Sequence, residues 1–144
     1  MLIINGKILT MEKETIECGY VRIQGSKIVE IGSMTSCDKR EGYCDTVKME
    51  KEKILDVNGA WVMPGLIEAH AHIGISEEKW GVIADDCNEG TNPVTPSLRA
   101  IDALNPMDPA FHEAIEAGIT SVMAGPGSAN VVGGQFVFLK TQGR

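Results

Sequence analysis

His70 and His72, two histidines with one residue between them, are the side chains whose types and spacing point most directly to chemistry. On a strand, residues two apart face the same side, so both imidazoles would project together. Neutral imidazoles are good ligands for zinc and similar divalent metals, and two of them supply half of a tetrahedral shell. An isolated pair of this kind is more often solvated or hydrogen-bonded for structural reasons, so its meaning depends on what surrounds it. The third histidine, His112, falls inside a predicted helix and reads as a surface residue. The acidic residues Asp85, Asp86 and Glu89 follow on the loop after the histidines. They could line a substrate pocket, although carboxylates on exposed loops are more often simply solvated. Gly125-Pro126-Gly127 and Gly133-Gly134 could shape a backbone cradle, but they lack the sequence of a phosphate loop. No Ser-His-Asp or Cys-His nucleophile arrangement is legible, and Cys87 has no basic neighbour in sequence.

The elements that must position these residues divide into two parts. Up to Val62 the chain reads as β structure. Leu2–Ile4 and Lys7–Thr10 flank Asn5-Gly6, a strong hairpin signal because both residues tolerate positive φ. Tyr20–Gln24 and Lys27–Ile31 alternate in hydropathy on either side of Gly25-Ser26. Ile54–Val57 and Ala60–Met63 continue the pattern across Asn58-Gly59. Ser33–Lys53 is polar and without apolar period, which predicts a long loop or an exposed hairpin. Short strands and tight turns imply a small β-sandwich or half-sandwich.

After Met63-Pro64-Gly65 the character changes. Leu66–Gly74 predicts a short strand carrying the histidines at its end, and Ser76–Met107 is long and irregular, with a short helix expected within Ser97–Leu104. A loop of that length in a compact domain is usually functional. Asp108-Pro109 predicts a helix start, with Asp108 as N-cap and Pro109 at the first helical position. Phe111, Ala114, Ile115 and Ala117 form its apolar stripe, and Gly118 closes it. Ile119–Ala124 predicts a buried strand and Phe136–Lys140 another. Strand, loop, helix, strand is the grammar of a parallel α/β assembly.

Composition narrows the partners. The chain has 144 residues, 43% hydrophobic and 23% charged, in the range of a globular domain with its own core. Its net charge of −7 argues against a nucleic-acid or anionic-membrane surface, because phosphates call for clustered Lys and Arg. Cys18, Cys37, Cys44 and Cys87 show neither C-x-x-C nor zinc-finger spacing and are expected to be free thiols. The first residues do not read as a signal peptide and no apolar run has membrane-spanning length, so a cytoplasmic location is expected.

Val62-Met63-Pro64-Gly65-Leu66-Ile67-Glu68-Ala69-His70-Ala71-His72-Ile73-Gly74 resembles the "PGLIDxHxH" signature of the amidohydrolase superfamily, with Glu68 where the family usually has Asp. The run from Ile3-Asn5-Gly6 to Lys27–Gly32 resembles the small β domain that precedes this signature. Asn92–Pro96, Arg99–Ala103, Asn105–Asp108, Gly118–Val122 and Gly127–Gln135 are similar to a narrower group, the imidazolonepropionase-like amidohydrolases. The resemblance spans essentially the whole chain. It implies an α/β fold: residues 1–62 as the first part of a small β-sandwich-like domain, and 63–144 as the first βα units of a (β/α)₈ barrel.

The resemblance further implies His70 and His72 as metal ligands, for one or two divalent ions, zinc foremost. The expected reaction is hydrolysis of a non-peptide C–N bond, in an amide or cyclic amide, by metal-activated water. It also makes Ser128, Asn130 and Gln135 pocket-edge residues, beside Asp85 and Asp86 from the loop reading. A complete barrel takes about 250 residues, against the roughly 80 that follow Met63. The bridging ligand, later histidines and catalytic aspartate would therefore lie beyond Arg144, and no catalytic residue is assigned within the chain. The expectation is an N-terminal fragment, an enzyme by lineage but not active by itself, of a hydrolase acting on a small-molecule substrate, with association into a homo-oligomer or with the rest of a barrel. Two alternatives stay open: a non-catalytic fragment that acts only with a partner chain, and a deaminase of the same superfamily.

Overall fold

A computed structural model describes residues 1–34, 52–77, 83 and 85–142. Among them the chain is mixed α/β, with two sheets and two short helices. It divides into two compact units, Met1–Pro64 and Gly65–Arg144. The loop or hairpin expected over Ser33–Lys53 lies mostly outside the described residues.

The first unit is one five-stranded sheet. Its strands are β1 (Leu2–Ile8), β2 (Ile16–Gln24), β3 (Lys27–Ser33), β4 (Ile54–Asp56) and β5 (Trp61–Val62). The order is β3-β2-β1-β4, with β5 also on β1. Asn5-Gly6 does not turn a hairpin, which corrects the sequence expectation. Residues 2–8 form a single strand, and Asn5, at φ +57°, sits in a bulge where three residues of β1 oppose two of β2. The physical reason is on the other edge of β1. Leu2–Ile4 pair in parallel with Ile54–Asp56, and Lys7–Ile8 pair in parallel with Trp61–Val62. Asn58 and Gly59, both at positive φ, loop out between those two partners, and the Gly59 amide donates to the Asn5 carbonyl at 2.7 Å. The positive φ that Asn tolerates is spent on a bend in the strand instead of a reversal. Gly25-Ser26 does make the expected two-residue turn, with Gln24 opposite Lys27. Leu2, Ile4, Tyr20 and Met34 form this unit's core, with Cys18 packed against it. Cys18 is disulfide-bonded, which corrects the expectation of a free thiol there; Cys87 is free and buried.

The second unit carries β6 (Leu66–Ala71), β7 (Ile119–Ala124) and β8 (Val137–Lys140), in the order β6-β7-β8. Between β6 and β7 run the single-turn helix α1 (Ala100–Ala103) and α2 (Ala110–Glu116). β6 and β7 are parallel, as a strand–helix–strand unit requires. β8 runs antiparallel to β7, so the expected parallel continuation does not extend to this third strand. Residues 125–136 contain no helix to carry the chain back across the sheet, and without a crossover the next strand returns beside its neighbour in the opposite sense.

α2 lays Phe111 onto Val122 and Ala124 of β7, with Ile73, Leu104, Val137 and Leu139 around them. Ala117, expected on the apolar stripe, is exposed and lies just past the helix as its C-cap residue. Gly118 closes the helix at φ +84° as predicted, and its amide donates to the Ile115 carbonyl. His112 is exposed and reaches Glu116 one turn on at 3.2 Å, a surface pair. No helix among the described residues is long and apolar enough to cross a membrane.

The bulge makes a measurable claim. Asn5→Val forces a β-branched residue into the left-handed region and should destabilise the chain by about 1–2 kcal/mol more than Asn5→Gly, read from urea unfolding curves. Equal costs for the two substitutions would show that positive φ at Asn5 is not what holds the bend.

Candidate functional site

His70 is the fifth residue of β6 and His72 follows the strand's last residue, so both sit at its carboxyl end. Their rings lie 5.2 Å apart, edge to face. The alternation of the strand therefore brings the two imidazoles to one side, as the spacing predicts. His70 is exposed. Its backbone amide donates to the Glu68 carboxylate at 3.0 Å, and its ring stacks at a tilt on Phe136, 5.4 Å between centroids. His72 is half-buried, and its Nδ1 donates to the carbonyl of Gly125 at 2.7 Å. Gly125 is the residue after β7, and its amide donates back to the Ala71 carbonyl at 3.0 Å. Parallel pairing of β6 with β7 thus delivers a backbone acceptor to the side of His72. With the proton held on Nδ1, the lone pair is on Nε2, the nitrogen left to bind a cation. The Phe136 ring occupies the space where a side chain at Gly125 would begin, 2.3 Å from that point, so the glycine also makes room for the ring that meets His70.

The turn after His72 is held as firmly. The amides of Ile75 and Ser76 both donate to the His72 carbonyl at 2.9 Å. Gly74, at φ +78°, faces Phe111, Leu104 and the Asn105 carbonyl so closely that a Cβ would come within 2.9–3.1 Å of each. Asp108, only 3% exposed, accepts from the Gly74 amide at 2.9 Å with one carboxylate oxygen and from the Ala110 amide at 3.0 Å with the other. The sequence showed Asp108 as a cap. Its second bond, spanning 34 residues, carried no signal there.

A cavity of about 320 Å³ lies in the same unit, lined by residues that include Asp86, Cys87, Glu89, Arg99, Asn130 and Gly134. Of the pocket residues expected from sequence, Asp86 and Asn130 line it, whereas Asp85, Ser128 and Gln135 do not, and neither histidine does. Several of them act on the backbone instead. Asn130 donates to the carbonyls of Glu89 (2.8 Å) and Asn92 (3.3 Å), tying the loop after β6 to the loop after β7. Gln135 donates to the Pro96 carbonyl at 3.1 Å. Asp85 accepts from the amide of Cys87 at 3.2 Å, closing a local turn. Ser128 is exposed. Asn88, which the sequence did not single out, accepts from Ala129 at 3.2 Å and fills the space beside Gly127.

Charge in the cavity wall is locally set. Two bonds from Thr91, hydroxyl and amide, hold the Glu89 carboxyl below its usual range. Arg99 grips Asp102 with two bonds of 2.9 and 2.8 Å, which lowers the Asp102 carboxyl. Burial, followed by the nearby Asp85 charge, pushes the Cys87 thiol up from 9.0, the opposite of what an activated nucleophile needs.

In this way a parallel strand–helix–strand unit presents two imidazoles at a strand's carboxyl end, where α/β proteins place their sites. No protein-family model matches the chain. Among individual proteins, it is 34% identical over 122 residues to the amidohydrolase tasK of Hapsidospora irregularis, covering 85% of this chain and 12% of that protein. It is 33% identical over 75 residues to a 5-methylthioadenosine/S-adenosylhomocysteine deaminase of Bacillus thuringiensis, covering 51% of this chain and 15% of that protein. A crystal structure of an amidohydrolase from Thermotoga maritima superposes on 99% of the chain with a TM-score of 0.82 and 35% identity, over 34% of that structure. The chain belongs to the amidohydrolase superfamily and matches the N-terminal part of its members. It spans 12–15% of the length of these two curated relatives.

The raised thiol has a consequence for pH. Cys87 is protonated in the folded chain at pH values where the unfolded thiol ionises. Its contribution to stability is therefore whole below 9.0 and disappears as pH rises through the higher folded value. At about pH 8, alkylation of Cys87 should run at least about tenfold slower in the native chain than in urea. Equal rates would show that the thiol is neither buried nor shifted.

Proposed function

We propose that this chain supplies the first metal-binding elements of a metal-dependent hydrolase of non-peptide C–N bonds, with His70 and His72 as ligands. The observation that carries the reading is the imidazole pair itself: rings 5.2 Å apart on one side of a strand end, with His72 oriented through its Nδ1 by a backbone carbonyl. A carbonyl on the second ring nitrogen is the usual partner of a metal-binding histidine. The donor set fits zinc or a similar divalent ion as half of a shell. Among the described residues no group of three or more His, Cys, Asp or Glu could hold a metal, so the remaining ligands come from elsewhere.

On this reading residues 1–62 belong to the small β domain and 63–144 open a (β/α)₈ barrel, in which catalytic groups gather at the carboxyl ends of the strands. A cation bound there supplies Lewis acidity toward water and a substrate carbonyl or amidine. The chain's own residues do the holding. Gly125 keeps the His72 ring in one tautomer, and Phe136 leans on His70. Asp86 and Asn130 line the neighbouring cavity, where they would meet a small-molecule substrate. The similarity to an amidohydrolase over 85% of the chain favours amide or cyclic amide hydrolysis, in the manner of the imidazolonepropionase-like group. The similarity to a deaminase over 51% sustains the second reading, removal of an amine from an aromatic ring.

Metal binding is the test. Zinc titrated into the chain against a chromophoric chelator should bind, and His70→Ala and His72→Ala should each weaken it at least about tenfold. Unchanged affinity in either variant removes that histidine from the ligand set. For the reaction, assayed with a longer form that carries the remaining ligands, ammonia released from an aminopurine nucleoside would select the deaminase reading, and a carboxylate formed from a cyclic amide would select the hydrolase.

A further inference from the structure

We infer that Asp108 is a positioning residue for His72, acting through the turn that follows the histidine; the inference rests on His72 being a ligand. Asp108 is a group the proposed chemistry does not use. Asp108 is a carboxylate 3% exposed, and an N-cap needs only one acceptor oxygen and no burial. One oxygen caps α2 through the Ala110 amide at 3.0 Å. The other accepts from the amide of Gly74 at 2.9 Å, two residues beyond His72. From the same segment, the Asn105 amide donates to the Gly74 carbonyl at 2.7 Å. Asn105–Asp108 thus grips both backbone polar groups of Gly74.

That grip reaches His72 by a short path. Gly74 lies inside the turn whose far side, the amides of Ile75 and Ser76, holds the His72 carbonyl from two directions. Its φ of +78° is open to glycine but not to most side chains, and Phe111 and Leu104 sit where a Cβ there would begin. The main chain of His72 is therefore set from the Asp108 side and its ring from the Gly125 side, at 2.7 Å. A ring hydrogen-bonded to a fixed carbonyl keeps its angle only if its own backbone is equally fixed. Releasing Gly74 lets the His72 main chain swing and trades the Nδ1 bond for a mixture of tautomers. Asp108 touches neither ligand nor substrate; it makes the geometry reproducible.

Asp108→Ser separates the two jobs. Serine caps a helix as well as aspartate does, but its single short oxygen cannot also reach Gly74. In the metal-free chain, nitrogen NMR of the imidazoles should show His72 as the Nδ1–H tautomer. Asp108→Ser should replace that signal with averaged tautomers and lower zinc affinity by about ten- to a hundredfold. Asp108→Asn, which keeps one acceptor of full length, should fall between the two. Leu139→Ala, which trims the same core from β8, should leave both readouts unchanged. A wild-type His72 signal in Asp108→Ser overturns the proposal, as does an equal loss in Leu139→Ala, which would mean general loosening. If Asp108→Ser does not fold, Asp108→Asn decides alone, a wild-type tautomer and affinity there counting against the role. Wild-type chain that shows the Asp108-dependent tautomer but binds no zinc upholds the positioning role and overturns the metal reading.

Discussion

The parallel pairing of Leu66–Ala71 with Ile119–Ala124 is the constraint on which the second unit depends. A parallel neighbour cannot be reached by a tight turn, so the chain must leave the sheet, travel and return. The helix Ala110–Glu116 is part of that return, and its Phe111 buries Val122 and Ala124 from one face. Once the two strands lie in register, Gly125 has no choice of neighbour. Its amide meets the Ala71 carbonyl and its carbonyl meets the His72 ring. On the Gly125 side, the acceptor for the His72 ring is a by-product of sheet hydrogen bonding.

Loops in this unit behave less like free connectors than like a second layer of scaffold. The segment after the histidine strand is irregular, yet it is stitched to the segment after the next strand by bridges at Val94–Val132 and Arg99–Gln135. The amides of Asn130 and Gln135 add side-chain bonds between the same two segments. Such bonds satisfy carbonyls that no regular element reaches, which is why polar residues with short, forked amides recur here. The same stitching surrounds the cavity that Asp86 and Asn130 line. The pocket-edge residues expected on family grounds are thus in part residues that shape the walls.

The first unit illustrates how one local signal can serve two structures. Asn-Gly occurs twice in it, and both times the asparagine takes positive φ. At Asn58 the chain does loop out. At Asn5 it continues along one strand with a bulge, because parallel partners on both sides of the bulge reward extension more than reversal. Local propensity states what a dipeptide tolerates, and long-range pairing selects among the tolerated outcomes.

Several features were legible from residues alone, each for a local reason. His70 and His72 fall on one side because a strand's period is two. Gly118 ends a helix because it accepts φ +84°, and Ile119–Ala124 is a strand because it is a short apolar run bounded by turns, although only Val122 and Ala124 of it are buried. His112 is a surface residue because helix polar positions face water. What required the tertiary structure was every relation between distant segments. These include the antiparallel sense of Val137–Lys140, the carbonyl of Gly125 beside His72, and the second bond of Asp108 to Gly74 across 34 residues. Sequence specifies backbone preference and side-chain chemistry one neighbourhood at a time. Which neighbourhoods meet is decided by burial and hydrogen-bond satisfaction summed over the whole fold, and that sum has no local signature.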